Sequence, residues 1–190
     1  MNSAVADLLF QAKILKEIPR SGFHFLGAGS ESVAEHIFCT AFIAYVMTRM
    51  EPDVDAGRLL AMCLAHDLIE ARTGDLNTVH KSYLHVDQER ALQDTVRDLP
   101  FGAELAELID EFESNRSREA RLARDADQLA LILDLKALSD SGHRPADKWL
   151  PPVIERLQTD MGRKLGAEIL ATEWDDWWMK NNLDRTKGNL

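Results

Sequence analysis

Apolar residues recur every three or four positions along almost the whole chain. The segment SVAEHIFCTAFIAYVMTRM, residues 32–50, shows the pattern clearly. This spacing places apolar side chains on one face of a helix. No run of alternating β-branched residues bounded by turn signals appears, so strands are not indicated. The sequence therefore predicts an all-α fold.

Glycine, proline and capping residues divide this pattern into helices. A first helix is expected from Ser3 to Lys16, and Ser30 is the expected N-cap of a long helix that ends before Pro52. The next helix is predicted to start at Asp53 or Asp55 and to continue until Gly74 stops it. Further helices are expected at 85–98, at 102–115, at 117–139 with Gly142 and Pro145 after it, and, as one or two helices, at 151–180.

The 190 residues suit one domain that can bury a sizeable core. No repeat, low-complexity segment or linker divides the chain. We therefore expect a single domain over residues 1–180, followed by a polar, frayed tail over residues 181–190.

Charge and hydropathy exclude several classes of partner. The net charge of −10 argues against binding of a nucleic-acid polymer, which needs a basic face. No stretch of about 18 apolar residues predicts a membrane span, and the N-terminus does not resemble a secretory leader. Cys39 and Cys63 lie in apolar helical patterns without metal-binding spacing, which favours free thiols. We expect a cytoplasmic protein that contacts neither nucleic acid nor membrane.

Five polar residues interrupt or end the apolar helical patterns. His66 and Asp67 are adjacent, and Glu70 follows at the spacing that shares their helix face. His36 and Asp127 each lie within an otherwise apolar helix. Taken singly, each has a structural explanation as a core histidine, a helix cap or a helix terminus.

Taken together, these residues favour a metal site. A buried carboxylate is costly unless it is paired or coordinated. Two histidines and two aspartates form a mixed nitrogen and oxygen set that suits a divalent transition metal. The sequence leaves the metal open among Mn, Co, Mg, Zn, Fe and Ni.

Three motifs carry a resemblance to a known family. ESVAEH at 31–36, HDLIEARTGD at 66–75 and DADQ at 125–128 occur in that order. The chain resembles the HD-domain superfamily of metal-dependent phosphohydrolases, and within it the 5'-deoxynucleotidase group, over about residues 10–140. The resemblance implies a helical HD-domain bundle, and the predicted C-terminal helices at 150–180 lie beyond the part of the chain that it covers. It also implies one divalent metal, with four ligands at His36, His66, Asp67 and Asp127.

The same resemblance implies roles for residues beside the metal. Glu70 and Asp75 match the acidic pair that acts in catalysis, whereas a solvated helix end and a turn residue are their structural alternatives. Arg20 matches an arginine that meets the 5'-phosphate, a role suited to a planar bidentate donor. Lys81 matches a family lysine, with an ordinary exposed lysine as the alternative.

The chain departs from the family pattern at the sugar pocket. Bacterial members have a tryptophan directly after the phosphate arginine, where this chain has Ser21, so Phe23 is the expected sugar contact. The tryptophans of the segment WDDWW, residues 174–178, are expected to pack in a core or an interface. The family's habit of forming homodimers makes a homodimer the expected assembly.

The predicted activity is hydrolysis of nucleoside 5'-monophosphates, preferably deoxyribonucleotides, to nucleoside and phosphate. One alternative is another HD phosphohydrolase that acts on nucleoside triphosphates or cyclic nucleotides. Another is a metal-holding or nucleotide-sensing scaffold without catalysis, although a scaffold would not need Glu70 and Asp75 in register with the metal.

Overall fold

The structure, a computed structural model, describes residues 3–180, and within them the expected all-α fold is confirmed. The only β-type pairing in that range is an isolated bridge between Pro19 and Ser32. The helices are α1 (Ser3–Ile14), α2 (Phe23–Leu26), α3 (Val33–Met50), α4 (Ala56–Ala65), α5 (Glu70–Thr73), α6 (Thr78–Lys81), α7 (Gln88–Val96), α8 (Gly102–Ser114), α9 (Arg118–Asp140), α10 (Arg144–Ile154) and α11 (Asp160–Ala171). The predicted tail, 181–190, lies outside the described residues.

Helix α9 forms the centre of the molecule. It packs against α3, α4, α8, α10 and α11. Its inward-facing side chains are fully buried: Leu122, Leu129, Ile132 and Leu135. Burial of large aliphatic side chains of this kind contributes roughly 1.5–3 kcal/mol each. The residues of α9 that face a cavity are therefore held on a rigid element.

Helix α3 starts two residues later than the sequence suggested. Ser32, not Ser30, is the N-cap, because its Oγ accepts a hydrogen bond from Glu35 N at 3.2 Å. The Glu35 carboxylate accepts in return from Ser32 N at 2.7 Å, completing a capping box. A serine with a glutamate three positions later satisfies two helix-end donors. Ser30 cannot form this pair, because the residue three positions after it is Val33.

The predicted helix through residues 55–73 is interrupted. Asp55 is its N-cap, as one of the two expected starts, but α4 ends at Ala65 and residues 66–69 form a turn before α5. Bonds from Leu68 N to Ala65 O and from Glu70 N to Asp67 O are of the tighter three-residue type. Gly74 stops α5 with a φ of 70°, as expected of a glycine.

The C-terminal part differs from the predicted division. The sequence predicts a break at Pro145 and a helix from 151, yet Pro145 lies in the first turn of α10, where its missing N–H is not needed. Pro151 and Pro152 lie inside α10 rather than at a helix start. The predicted start of the C-terminal helices near residue 150 is therefore wrong, because α10 already begins at Arg144.

The tryptophan cluster does not belong to the core. The side chains of Trp174, Trp177 and Trp178 are all exposed. Core packing, one of the two roles expected for them, is therefore wrong. Within residues 3–180, no helix combines the length and the apolar content that a membrane crossing requires.

Candidate active site

The sequence-predicted residues meet in one cavity of about 560 Å³. The loop before α2, the turn after α4, α5 with the loop after it, and α9 supply Arg20 and most of its acids. Helices α2, α6, α7, α8 and α10 supply further lining residues. Eight of the nine predicted residues line it: Arg20, Phe23, His66, Asp67, Glu70, Asp75, Lys81 and Asp127. The ninth, His36, is fully buried.

His66 is oriented by the backbone of the helix that it ends. Its Nδ1–H donates to the carbonyl oxygen of Cys63 at 2.9 Å. That bond directs Nε2 toward the cavity, 3.1 Å from Asp67 Oδ2. Burial alone would lower the pKa of His66, but the Asp67 carboxylate outweighs it and raises the pKa to about 9.

His36 projects from α3 toward the same point. Its Nε2 lies 2.8 Å from Asp127 Oδ1 on α9 and 4.0 Å from Asp67 Oδ2. Its ring centroid is 5.8 Å from that of His66. Although burial alone would raise the pKa of Asp127, the hydrogen bond with His36 brings that pKa well below its usual range.

These side chains have the chemistry of a divalent-cation site. One ligand atom each from His36, His66 and Asp67 lies within 4.8 Å of the others. Nε2 of His66 is buried and has no hydrogen-bond partner, and because the proton of neutral His66 lies on Nδ1, the lone pair of Nε2 is available to a metal. Mixed histidine and carboxylate ligands suit transition metals, and Asp127 Oδ1 adjoins the cluster through His36. The residues present therefore fit a divalent metal.

Arg20 lies beside two of the cavity's acids, Asp67 and Asp75. Arg20 Nη1 lies 3.4 Å from Asp67 Oδ2 and 3.6 Å from Asp75 Oδ1. The bridge between Pro19 and Ser32, with Arg20 N donating to Glu31 O at 2.8 Å, fixes this loop against the start of α3. A guanidinium is thus held beside the carboxylates, where it can bind an anion next to a metal.

Glu70 starts α5 and lines the cavity. Its Oε2 is buried without a hydrogen-bond partner. Burial, followed by repulsion from Asp67 and Asp75, raises the pKa of Glu70 to about 9. A carboxyl group with a strongly perturbed pKa in a cleft is typical of an acid or base in catalysis.

Asp75 is held by a residue whose role the sequence did not suggest. Ser21 donates to Asp75 Oδ2 from its backbone N at 2.5 Å and from its Oγ at 2.8 Å. Asn77 N in turn donates to Ser21 Oγ at 3.0 Å. Ser21 therefore orients an acid instead of facing a sugar.

The predicted substrate contacts have different surroundings. Phe23 lines the cavity but belongs mainly to the core, with 9% of its surface exposed. Its neighbour Phe25 is 53% exposed and lines the same cavity, as does Trp149 of α10. Lys81 is exposed on α6 at the cavity wall. Phe25 and Trp149 are not among the predicted site residues, because an aromatic residue alone gives no signal of facing a cavity.

Comparison with known proteins shows the family of this chain. A family model described as "HD domain" matches residues 12–168. The human protein named 5'-deoxynucleotidase HDDC2 is 28% identical over 173 residues, covering 83% of this chain and 84% of its own.

Solved structures show the same fold. The PH0347 protein from Pyrococcus horikoshii has a TM-score of 0.71 and 29% identity, covering 87% of this chain and 96% of its own. A conserved hypothetical protein from Pyrococcus furiosus has a TM-score of 0.71 and 28% identity, covering 88% of this chain and 99% of its own.

Proposed function

The chain belongs to the HD domain family, and we propose that it is a divalent-metal-dependent phosphomonoesterase. Its substrates are nucleoside 5'-monophosphates, preferably deoxyribonucleotides, and its products are nucleoside and phosphate. The observation that carries the proposal is the opening of the His36, His66 and Asp67 cluster onto the cavity that Arg20 and Glu70 also line. The human relative's name, 5'-deoxynucleotidase HDDC2, supports the substrate class.

The proposed metal ligands are His36, His66, Asp67 and Asp127. A divalent ion bound there would polarise the phosphoryl group, activate water and neutralise developing charge. The ligand atoms on the three helical segments are already turned toward one another, so little rearrangement is required. This ligand set suits several divalent ions, and adding metals back singly identifies those that support phosphate release.

Arg20 is the proposed phosphate ligand. Its guanidinium is within 4.0 Å of both Asp67 and Asp75, so it lies at the edge of the metal cluster. A planar donor at that position can bind two oxygens of a phosphate and hold the phosphorus in line with a water.

Glu70 and Asp75 are the proposed acid–base pair. Water attacks phosphorus, the bond from phosphorus to the 5'-oxygen breaks, and the departing oxygen takes up a proton. Glu70 faces the cavity with a free Oε2 and can orient the water or give the leaving oxygen its proton. Asp75, fixed by Ser21, supports the same step or holds a sugar hydroxyl.

The apolar residues of the cavity wall suit a sugar and a base. Phe25, Trp149, Pro152 and Val153 present apolar surface there, and Lys81 lies beside them. Flat aromatic side chains bind nucleobases by stacking. We assign Phe23, through its cavity-facing edge, and Lys81 as further substrate contacts.

The test is phosphate release by the chelator-treated protein. Mn²⁺, Co²⁺, Mg²⁺, Zn²⁺, Fe²⁺ and Ni²⁺ are added back singly, with deoxyribonucleoside and ribonucleoside 5'-monophosphates as substrates and a 3'-monophosphate as the positional control. We expect phosphate from the 5'-monophosphates only when metal is present. No turnover with any metal would contradict the proposal and favour a non-catalytic metal-binding or nucleotide-binding scaffold.

A second candidate is hydrolysis of nucleoside triphosphates or cyclic nucleotides by the same site. It is favoured by three cations besides Arg20 and Lys81 on the cavity wall, namely Arg124, Lys148 and Arg156. A triphosphate carries more negative charge than a monophosphate and would use them. Pyrophosphate or triphosphate among the products would favour this candidate.

We further propose that the protein forms a homodimer. Phe38, Phe42 and Tyr45 form an exposed aromatic row along α3, with ring centroids 6.3 and 6.1 Å apart. A twofold interface needs only one self-complementary patch. Light scattering after size exclusion should give twice the chain mass, and Phe42→Glu should give the monomer mass. A monomeric wild-type protein would contradict the homodimer.

The single domain over residues 1–180 is also a proposal. It is supported by one buried cluster that takes residues from α2 to α11. Cooperative urea unfolding with coincident fluorescence and circular dichroism transitions would agree with it. The cytoplasmic location stays a prediction from the sequence.

A further inference from the structure

Glu31 lies between a proposed metal ligand and the proposed phosphate arginine. Its Oε2 is 3.7 Å from His36 Nδ1 and 3.8 Å from Arg20 Nε. The side chain is only 9% exposed, and the Glu31 carbonyl accepts from Arg20 N. None of the proposed catalytic steps uses this carboxylate.

The two ring nitrogens of His36 have different surroundings. Nε2 faces Asp127 and the metal-ligand cluster, 2.8 Å from Asp127 Oδ1. Nδ1 faces the other way, is buried, and has no hydrogen-bond partner. If Nε2 binds a metal, its lone pair must be free, so the single ring proton of neutral His36 must lie on Nδ1.

That Nδ1–H then needs an acceptor, since a buried donor without one is unfavourable. Glu31 Oε2 is the acidic oxygen within 4.0 Å of Nδ1 among residues 3–180. A movement of less than an ångström would bring the 3.7 Å separation into hydrogen-bond range. Glu35, on the same turn of α3, is unsuited because its exposed carboxylate caps the helix through Ser32.

We propose that Glu31 is a positioning residue that accepts the Nδ1–H of His36 and so fixes the ring for metal binding through Nε2. The inference rests on the metal ligands of the proposed function. It adds a carboxylate behind the ligand, an arrangement that holds a histidine ring in one tautomer and increases its basicity. Because Glu31 also lies beside Arg20, the same carboxylate connects the metal ligand to the phosphate-binding loop.

The experiment measures Co²⁺ binding by competition with a chromophoric chelator, without any substrate. Glu31→Ala should weaken Co²⁺ binding by about 10- to 100-fold and change the Co²⁺ absorption spectrum, as loss of such a partner typically does. Glu31→Gln should give a smaller loss, because its amide oxygen accepts the hydrogen bond without the charge.

Two control variants separate positioning from general effects. Ser32→Ala removes the N-cap of the same helix and should lower stability while Co²⁺ affinity stays close to that of the wild type. Asp134 is a partly buried acid whose pKa is raised by burial and lowered by His36 at a distance, so Asp134→Asn tests electrostatics without contact. Its Co²⁺ spectrum should match that of the wild type.

Wild-type affinity and spectrum in both Glu31 variants would overturn the inference. If Glu31→Ala does not fold, Glu31→Gln decides alone. Failure of the proposed function looks different: the wild type would bind Co²⁺ but release no phosphate from any nucleotide, and the role of Glu31 would stand. A wild-type protein that binds no Co²⁺ would overturn both.

Discussion

Ser21 fixes Asp75 through two donors, its backbone N at 2.5 Å and its Oγ at 2.8 Å from Asp75 Oδ2. The two residues are 54 positions apart in sequence. The contact ties the loop that presents Arg20 to the end of the acidic motif. Ser21, directly after the proposed phosphate ligand Arg20, therefore orients an acid in this chain.

Ser21→Ala should reduce kcat for a deoxyribonucleoside monophosphate by about tenfold, because Asp75 loses a donor that orients it. Metal content should not change, since Ser21 touches none of the proposed ligands. Steady-state kinetics with metal analysis on the same sample would check both. Ser30→Ala, exposed in the segment between α2 and α3, is the control and should behave as the wild type. Unchanged turnover in Ser21→Ala would show that Asp75 needs no such support.

Chelator-treated protein should lose stability as pH rises between about 5 and 9. The pKa of Glu70 is raised to about 9 in the folded state, so folded protein holds a proton that unfolded protein has already released. Stability falls with pH wherever the folded state binds more protons. His66, whose pKa is raised to about 9, acts in the same direction above its usual value.

Urea unfolding at several pH values would measure this slope. Glu70→Gln should flatten the slope, because the amide carries no titrating proton, while retaining part of it from His66. Equal slopes in the wild type and Glu70→Gln would contradict the assignment of the raised pKa to Glu70.

A divalent metal should stabilise the fold. At a hundredfold excess over Kd, binding to the folded state alone adds about 2.7 kcal/mol to the free energy of unfolding. Asp127→Ala should abolish most of this gain by removing a ligand. Glu113→Gln is the matched control, because Glu113 lines the same cavity but pairs with Arg124. Urea unfolding with and without Mn²⁺ checks the prediction, and a full gain in Asp127→Ala would remove Asp127 from the ligand set.

Asp125→Ala should lower the free energy of unfolding by about 3 kcal/mol, the scale of losing hydrogen bonds to a buried charge. The fully buried carboxylate accepts from Gln158 N at 2.7 Å, Thr159 N at 2.8 Å and Thr159 Oγ1 at 2.6 Å. Asp160→Ala, one residue beyond this turn, removes an exposed carboxylate and should cost less than about 1 kcal/mol. Equal losses in both variants, by urea unfolding, would contradict this role.

The sequence predicted the main helices well because each carries its own apolar period and its own caps. Ser117 precedes α9 as an N-cap, and Gly74 ends α5. The turn over residues 66–69 was missed, since Leu68 and Ile69 continue the apolar pattern of α4 and contain no helix breaker. Propensity alone does not show where tertiary contacts tighten the backbone.

Site residues that are close in sequence could be predicted together, whereas contacts between distant positions could not. His66, Asp67 and Glu70 are close in sequence, so their spacing already suggested a shared face, although a turn rather than a continuous helix brings them together. Contacts between distant positions, such as Ser21 with Asp75, leave no periodic signal in a single chain. The same applies to Trp149, which reaches the cavity only because α10 packs on α9.

Asp125 and Asp127 of the DADQ segment both lie on α9, but their side chains contact different parts of the molecule. Asp127 lines the cavity. Asp125 instead accepts hydrogen bonds from the turn between α10 and α11. Gly162 packs so closely on it that a Cβ at position 162 would lie 2.2 Å from Asp125 Oδ2. A chain shortened after α9 would therefore remove the donors of Asp125, two residues from a proposed metal ligand, and expose the side of α9 that α10 and α11 cover. Truncation at residue 140 would not yield a minimal catalytic core, and the C-terminal helices must be retained in any shortened enzyme built from this chain.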